Sequence, residues 1–109
     1  MYLDGGDHNG YMLTVPGSDR KHSLVFVFSE YCGYCRAVKP VFEEFCQLYK
    51  DQYNCYMVDV NDERGRLFLL KNRMEVNAVP KFLKYQYGIL QPNVDLIERT
   101  VEGMVAFMR

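Results

Sequence analysis

The feature that most constrains the fold of this chain is an uninterrupted apolar run, Leu24-Val25-Phe26-Val27-Phe28. The run is short and consists mainly of β-branched and aromatic residues, so it predicts a strand and not a buried helix. Because no polar residue alternates with the apolar ones, we expect both faces of this strand to be covered. Such strands are typical of the centre of a sheet that carries helices on both sides.

Patterns on either side of this run predict the remaining elements. Apolar residues at three- and four-residue spacing follow it, and Pro40 inside that pattern indicates a kinked helix. Asn61-Asp62-Glu63 and Thr100 are suited to cap two later helices. The expected strands cover residues 11–15, 24–28, 55–60, 81–85 and 94–98, and the expected helices cover residues 37–48, 64–71 and 101–108. Residues 72–78 are expected to form a connection, and the polar, glycine-containing residues 1–10 a loose N-terminal arm.

The order of these elements and the length of the chain indicate one domain. After a short first strand, a βαβ unit precedes a β-hairpin and a covering helix. The chain has 109 residues, of which 49% are apolar, and this is enough for one core. We therefore expect residues 1–109 to form a single α/β domain with a central mixed sheet flanked by helices.

Charge and hydropathy exclude several classes of function. The 13 basic and 14 acidic residues are scattered, so the chain lacks the clustered basic surface that nucleic acid requires. No apolar stretch approaches the roughly 20 residues of a membrane-spanning helix. The N-terminus lacks the basic and apolar regions of a secretory signal. We therefore expect a cytoplasmic monomer, or a protein of the secretory compartment if a leader has been removed.

Cys32-Gly33-Tyr34-Cys35 lies between the predicted central strand and the helix that follows it. This spacing puts Cys32 at the helix N-terminus, where unpaired N–H groups and the helix dipole stabilise a thiolate, the nucleophile of disulfide exchange. Cys35 follows one turn later and can attack a mixed disulfide formed on Cys32. Two alternative interpretations are ordinary core cysteines and half of a zinc site.

A zinc site would need two further ligands. The candidates are Cys46, Cys55, His8 and His22, which form no second close pair, so no metal is expected. Cys46 and Cys55 are instead expected to be small buried residues. A disulfide between them stays open, because sequence does not supply the required Cα separation.

The segment from Phe28 to Pro40 resembles the active-site segment of thioredoxins and protein disulfide isomerase domains. Those families have an aromatic residue before the first cysteine and a proline five residues after the second, as here. The similarity runs from residue 24 to the C-terminus. It implies a thioredoxin-like fold and a protein-disulfide oxidoreductase in which Cys32 and Cys35 are catalytic.

The resemblance also implies the surroundings of this pair. Val79-Pro80 matches the family's cis-proline loop, which faces the active site. The implied substrate-binding residues are Tyr31, Gly33, Tyr34, Val79 and Pro80. The implied partners are protein thiol and disulfide substrates, with a reductase or an oxidase that recycles the pair. The resemblance implies no cofactor, because the Cys32–Cys35 disulfide is itself the redox-active group.

The chain departs from the family pattern in three places. The family's buried acid, six residues before the first cysteine, is Phe26 here, so Cys35 must lose its proton to water or to another group. Gly33-Tyr34 replaces the usual Gly-Pro or Gly-His, and the first strand and helix are shortened to residues 2–23. The intact cysteines favour catalysis. Phe26 leaves open a weakly active or redox-inactive adaptor that binds an extended peptide at the cis-proline groove.

Overall fold

Six strands form one mixed sheet in the computed structural model, which describes residues 1–74 and 76–109. The strands are β1 (His8–Asn9), β2 (Met12–Leu13), β3 (His22–Phe28), β4 (Tyr53–Asp59), β5 (Lys81–Gln86) and β6 (Ile89–Gln91). Their order across the sheet is β1-β2-β6-β5-β3-β4, and β3 pairs in parallel with β4 and antiparallel with β5. The predicted central run therefore lies in β3, between the sheet's two other long strands.

Helices α1 (Gly33–Leu48), α2 (Glu63–Lys71) and α3 (Val101–Met108) cover the sheet. Two of them begin at the predicted caps. The Asp62 carboxylate accepts a hydrogen bond from the Arg64 N–H at 2.8 Å, and the Thr100 hydroxyl accepts one from the Gly103 N–H at 2.9 Å. Within the described residues, no helix combines the length and the apolarity needed to cross a membrane.

Both faces of β3 are buried, which confirms the prediction. Leu24, Phe26 and Phe28 pack on one face with residues of α1 and α3. Val25 and Val27 pack on the other face with residues of α2, β5 and the N-terminal segment. The sheet is thus the middle of three layers, and burial on both sides supplies most of the stabilisation at about 25 cal/mol per Å² of apolar surface.

Residues 1–10 pack against the sheet, so the prediction of a loose arm is wrong. Leu3 is fully buried, and its N–H donates to the Met57 carbonyl oxygen at 2.8 Å. A 3₁₀ turn over Gly5–Asp7 then leads into β1. The short α2 helix leaves part of the second face of β3 open, and Leu3 and Leu13 complete the apolar cluster there. The shortened N-terminal part therefore consists of this turn, β1 and β2.

The strand predicted over residues 94–98 is also wrong, because the hairpin closes earlier. Tyr87 and Gly88 form a two-residue turn with φ values of 49° and 89°. Positive φ at both positions is the geometry of a tight hairpin turn, so β6 begins at once and pairs with β5. Glu75, which belongs to the predicted connection over residues 72–78, lies outside the described residues.

A disulfide joins Cys46, in the last turn of α1, to Cys55 in β4. Their Cα atoms are 6.0 Å apart, within the usual range for a disulfide. The disulfide that the sequence left open is therefore formed, and both cysteines are half-buried rather than fully buried as expected. The parallel pairing of β4 with β3 brings the start of β4 to the end of α1, an approach that only the folded chain reveals.

Candidate active site

Cys32 and Cys35 lie at the start of α1, where the predicted chemistry requires them. Cys32 is the N-cap of the helix, Gly33 is its first residue, and the Cys32 Sγ accepts a hydrogen bond from the Cys35 N–H at 3.2 Å. Both are free thiols; Cys32 is partly exposed, whereas Cys35 is 1% exposed. The sulfur that an incoming protein can reach is therefore that of Cys32, as predicted.

The surroundings of the two thiols separate their acidities. A hydrogen bond from the Cys35 side chain lowers the pKa of Cys32, assisted by the N–H groups of Cys35 and Tyr34 and by the charge of Arg99. Burial, followed by the hydrogen bond to Cys32, raises the pKa of Cys35 to about 11. A thiolate therefore forms first on Cys32, the exposed sulfur.

The loop that faces this sulfur contains a cis peptide bond between Val79 and Pro80, as predicted. The Cys32 thiol donates to the Val79 carbonyl oxygen at 3.6 Å, so the loop and the dithiol are in contact. Tyr31 and Tyr34, the residues on either side of the Cys32-Gly33 step, are 83% and 75% exposed. The surface around the reactive sulfur therefore carries two solvent-facing aromatic rings.

Phe26 is fully buried in the same cluster as Cys35, which confirms its predicted burial. Its ring centroid lies 5.1 Å from that of Phe28, 5.1 Å from that of Phe42 and 5.0 Å from that of Phe82. Aromatic rings thus occupy the place where the resemblance implies a carboxyl group. The proton of Cys35 has no acceptor at this position.

A cleft of about 330 Å³ opens beside Cys35, between the end of β3 and the first turns of α1. Its lining residues are Phe28, Ser29, Glu30, Cys35, Arg36 and Lys39. The Lys39 Nζ lies 5.2 Å from the centroid of the Phe28 ring, within cation–π range. Because Cys35 is one of the lining residues, solvent in this cleft can approach its side chain.

A second cleft, of about 370 Å³, runs beside Pro80. Its lining residues are Asn77, Ala78, Pro80, Lys81, Phe82, Asp95, Leu96 and Arg99. The Lys81 Nζ lies 3.6 Å from the Asp95 carboxylate. Sequence reasoning missed Arg99, whose charge favours the thiolate at both cysteines. No local motif marks this residue, because it reaches the dithiol only when the start of α3 packs beside the cis-proline loop.

The residues weighed as further metal ligands are dispersed. Cys46 and Cys55 are joined in the disulfide, His8 is buried on the second face of the sheet, and His22 packs against the Tyr87 ring. Within the part of the chain that the structure describes, no three His, Cys, Asp or Glu residues come together as metal ligands.

A dithiol at the N-terminus of α1 that faces a cis-proline loop, on a mixed sheet covered on both sides, defines the class of dithiol proteins with a thioredoxin-like fold. The family model described as Thioredoxin matches residues 10–109. The chain belongs to the thioredoxin family.

Two relatives are protein disulfide isomerases. Protein disulfide-isomerase A5 of Mus musculus is 28% identical over 90 residues, which cover 83% of this chain and 17% of the mouse protein. A protein disulfide-isomerase of Schizosaccharomyces pombe is 24% identical over 94 residues, covering 83% of this chain and 25% of the yeast protein. The chain thus spans a quarter or less of the length of these relatives.

Among solved structures, the Trx4 domain of ERdj5 is similar in fold. It matches with a TM-score of 0.69 over 97% of this chain and 89% of that domain, at 18% sequence identity. At this level of identity the likeness shows the thioredoxin-like architecture.

Proposed function

We propose that the protein is a thiol–disulfide oxidoreductase that reduces or isomerises disulfides of protein substrates through Cys32 and Cys35. One observation carries the proposal: a partly exposed thiol of lowered pKa caps α1, and a buried thiol of raised pKa lies one turn away. This asymmetry suits a nucleophile and a resolving group, since thiolate is the form that attacks a disulfide.

The exchange has two balanced steps. The Cys32 thiolate attacks one sulfur of the substrate disulfide, forms a mixed disulfide and releases the other substrate sulfur as a thiolate. The Cys35 thiolate then attacks the Cys32 sulfur and releases the second substrate thiolate. Two electrons have passed to the substrate, and the protein is left with a Cys32–Cys35 disulfide. A reductase of dithiol type, or an oxidase for the reverse direction, then restores the starting state.

Substrate binding is assigned to the surface around the Cys32 sulfur. An extended substrate segment pairs with the backbone of Val79 beside Pro80, as strands add to an exposed backbone edge. Tyr31 and Tyr34 offer large exposed rings to apolar side chains of that segment, and the small Gly33 between the cysteines leaves space for it.

The proton of Cys35 leaves through water in the cleft lined by Glu30, Arg36 and Lys39. Phe26 cannot accept a proton, and a pKa of about 11 keeps Cys35 protonated at neutral pH in the free protein. Resolution of the mixed disulfide is therefore the step that we expect to be slow.

Trapping tests the assignment of roles. In the Cys35→Ser variant the attacking thiol remains and the resolving thiol is gone, so mixed disulfides on Cys32 should accumulate and disappear on reduction. The matched Cys32→Ser variant should trap no adducts. In an insulin-reduction assay driven by dithiothreitol, the wild-type protein should accelerate precipitation and both variants should not. Equal trapping by the two variants, or no acceleration by the wild type, would contradict the proposal.

An adaptor is the second candidate function, and the buried Phe26 stack favours it, because nothing there deprotonates Cys35. An adaptor would bind an extended peptide at the cis-proline groove equally well in wild type and in the Cys32→Ser/Cys35→Ser variant. Wild-type insulin-reduction activity separates the two functions.

The Cys46–Cys55 disulfide bears on where the protein works. Structural disulfides persist in oxidising compartments, whereas cytosolic thiols are kept reduced. We therefore favour the secretory compartment over the cytoplasm. Rapid acid quenching and alkylation of the protein in its native host should find Cys46 and Cys55 unmodified. Labelling of both would place the protein in a reducing compartment.

A further inference from the structure

The residues that line the two clefts beside the dithiol have a net positive charge, whereas the net charge of the whole chain is negative. Among the described residues, they are lined by four basic residues and two acidic ones. The basic residues are Arg36, Lys39, Lys81 and Arg99, and the acidic residues are Glu30 and Asp95. The whole chain carries a net charge of −1. The exchange surface is therefore positive on a slightly negative protein.

We propose that this surface selects substrates with acidic residues beside the exchanged cysteine; the inference rests on the proposed function and names its substrate class. One positive cleft is lined by Pro80, whose neighbour Val79 accepts a hydrogen bond from the Cys32 thiol, and the other is lined by Cys35, one helical turn from Cys32. A substrate segment paired with the backbone of Val79 lies beside the first of these clefts, because Val79 precedes Pro80 in the chain.

Arg99 is the cation best placed to bind a substrate carboxylate. Lys81 is already paired with Asp95 at 3.6 Å, whereas Arg99 makes no ion pair with any described residue. Arg99 lines the same cleft as Pro80 and lies close enough for its charge to act on both thiols. Its planar guanidinium can donate two parallel hydrogen bonds to one carboxylate.

Lys39 supplies the corresponding charge in the other cleft. Its ammonium lies 5.2 Å from the Phe28 ring centroid, on the wall of the cleft that Cys35 also lines. Opposite charges on a substrate raise the rate of encounter as well as the affinity, and both effects are screened by salt.

The test measures exchange with three peptides that differ in charge. Each has one cysteine joined to 2-thiopyridine in a disulfide and flanked by Asp, by Asn or by Lys. Attack of the Cys32 thiolate on the peptide sulfur releases 2-thiopyridone, which is followed by absorbance, and Cys35 then releases the peptide thiol. We expect the Asp peptide to react about two- to fivefold faster than the Asn peptide at low salt, and the Lys peptide to react most slowly. In about 1 M salt the three rates should converge.

Three variants locate the effect. Arg99→Gln and Lys39→Gln should each lower the ratio of the Asp rate to the Lys rate. The ratio cancels any change in thiol pKa, which affects all peptides alike. Arg20→Gln is the matched control, because Arg20 lies in the loop before β3, at the end of that strand away from the dithiol, and should leave the ratio unchanged.

The outcomes separate this inference from the proposed function. Equal rates for the three peptides at low salt would overturn the acidic-substrate inference while leaving the oxidoreductase proposal standing. Rates no faster than those of free cysteine for every peptide would overturn the oxidoreductase proposal itself. If Arg20→Gln lowers the ratio of the Asp rate to the Lys rate as much as Arg99→Gln and Lys39→Gln do, the selectivity arises from the total charge of the protein. That result would overturn the assignment to the clefts.

Discussion

At the scale of single residues, the two thiols of the candidate site differ in accessibility and in acidity. Cys32 is partly exposed and has a lowered pKa, whereas Cys35 is buried and has a pKa of about 11. Alkylation with iodoacetamide at neutral pH should therefore modify Cys32 first and Cys35 far more slowly, since thiolate is the reacting form. Peptide mass spectrometry after timed quenching measures the two rates.

Cys46 and Cys55 serve as internal controls for this experiment. Joined in a disulfide, they should stay unlabelled until a reductant is added. Labelling of Cys35 ahead of Cys32 would reverse the assignment of nucleophile and resolving thiol. Early labelling of Cys46 without reductant would show that the disulfide is absent.

Phe26 is the residue whose replacement should most clearly separate stability from catalysis. Phe26→Asp removes a buried ring from its stack with Phe28 and Phe82 and buries a carboxyl group near Cys35. We expect a loss of about 3–5 kcal/mol in the free energy of unfolding, as for other large-to-small changes in a core. In the folded variant the new carboxylate should accept the Cys35 proton and speed the second step of exchange. Urea unfolding and stopped-flow exchange with a small disulfide measure the two effects.

Phe26→Leu is the matched control for that variant. It shortens the same side chain without adding a titratable group, so it should lose stability but leave the rate of the Cys35 step unchanged. If Phe26→Asp is folded and exchanges no faster than Phe26→Leu, the missing acid does not limit this protein.

At the scale of elements, the Cys46–Cys55 disulfide links the last turn of α1 to β4. It closes a loop between residues nine apart in sequence, and loops of that size lose about 2–3 kcal/mol of unfolded-state entropy on closure. In the Cys32→Ser/Cys35→Ser background, dithiothreitol should lower the free energy of unfolding by this amount. Replacing Cys46 and Cys55 by Ala in the same background should remove the response. Urea denaturation with and without reductant measures it, and an unchanged midpoint on reduction would show that the link contributes nothing.

The elements that were predicted correctly are marked by a pattern within their own residues. β3 is marked by its unbroken apolar run, and α3 by the Thr100 cap and the apolar residues that follow. β1 and β6 were missed because they are two and three residues long and are defined by pairing with a neighbouring strand, not by a sequence pattern of their own. A strand that short has no periodicity to read, so its position follows from the turn at Gly88 and from the sheet edge beside it.

At the scale of the whole molecule, the candidate site was predictable to the extent that it is local or shared with a family. The Cys32 and Cys35 pair follows from spacing at a strand–helix junction, and Val79-Pro80 follows from resemblance. Arg99 enters the site from the start of α3, across the cleft beside Pro80. That approach depends on how α3 packs against the sheet, which no spacing in the sequence encodes.

The N-terminal segment gives the molecule as a whole a dependence on pH. His8 is 3% exposed, and its ring packs edge-on against Phe68 at 5.3 Å and Tyr85 at 5.6 Å between centroids. Neither ring nitrogen makes a hydrogen bond of normal geometry with the described residues, and the Asn72 side chain nearby offsets the effect of burial only in part. Burial therefore lowers the pKa of His8 from its usual value of 6.5, because a charged imidazolium would be held among aromatic rings.

The sign of the resulting effect follows from proton binding in the two states. As pH falls below 6.5, the unfolded chain protonates His8 while the folded protein keeps it neutral, so the free energy of unfolding should fall by up to about 1.4 kcal/mol per pH unit until the lower folded pKa is reached. His8→Phe keeps an aromatic ring in the cluster and removes the titration, so it should flatten the stability profile between neutral and mildly acidic pH. Urea denaturation of the two proteins across this range measures the difference, in which effects of the carboxylates cancel. If His8→Phe loses stability on acidification as steeply as wild type, then the acid sensitivity of this fold originates elsewhere.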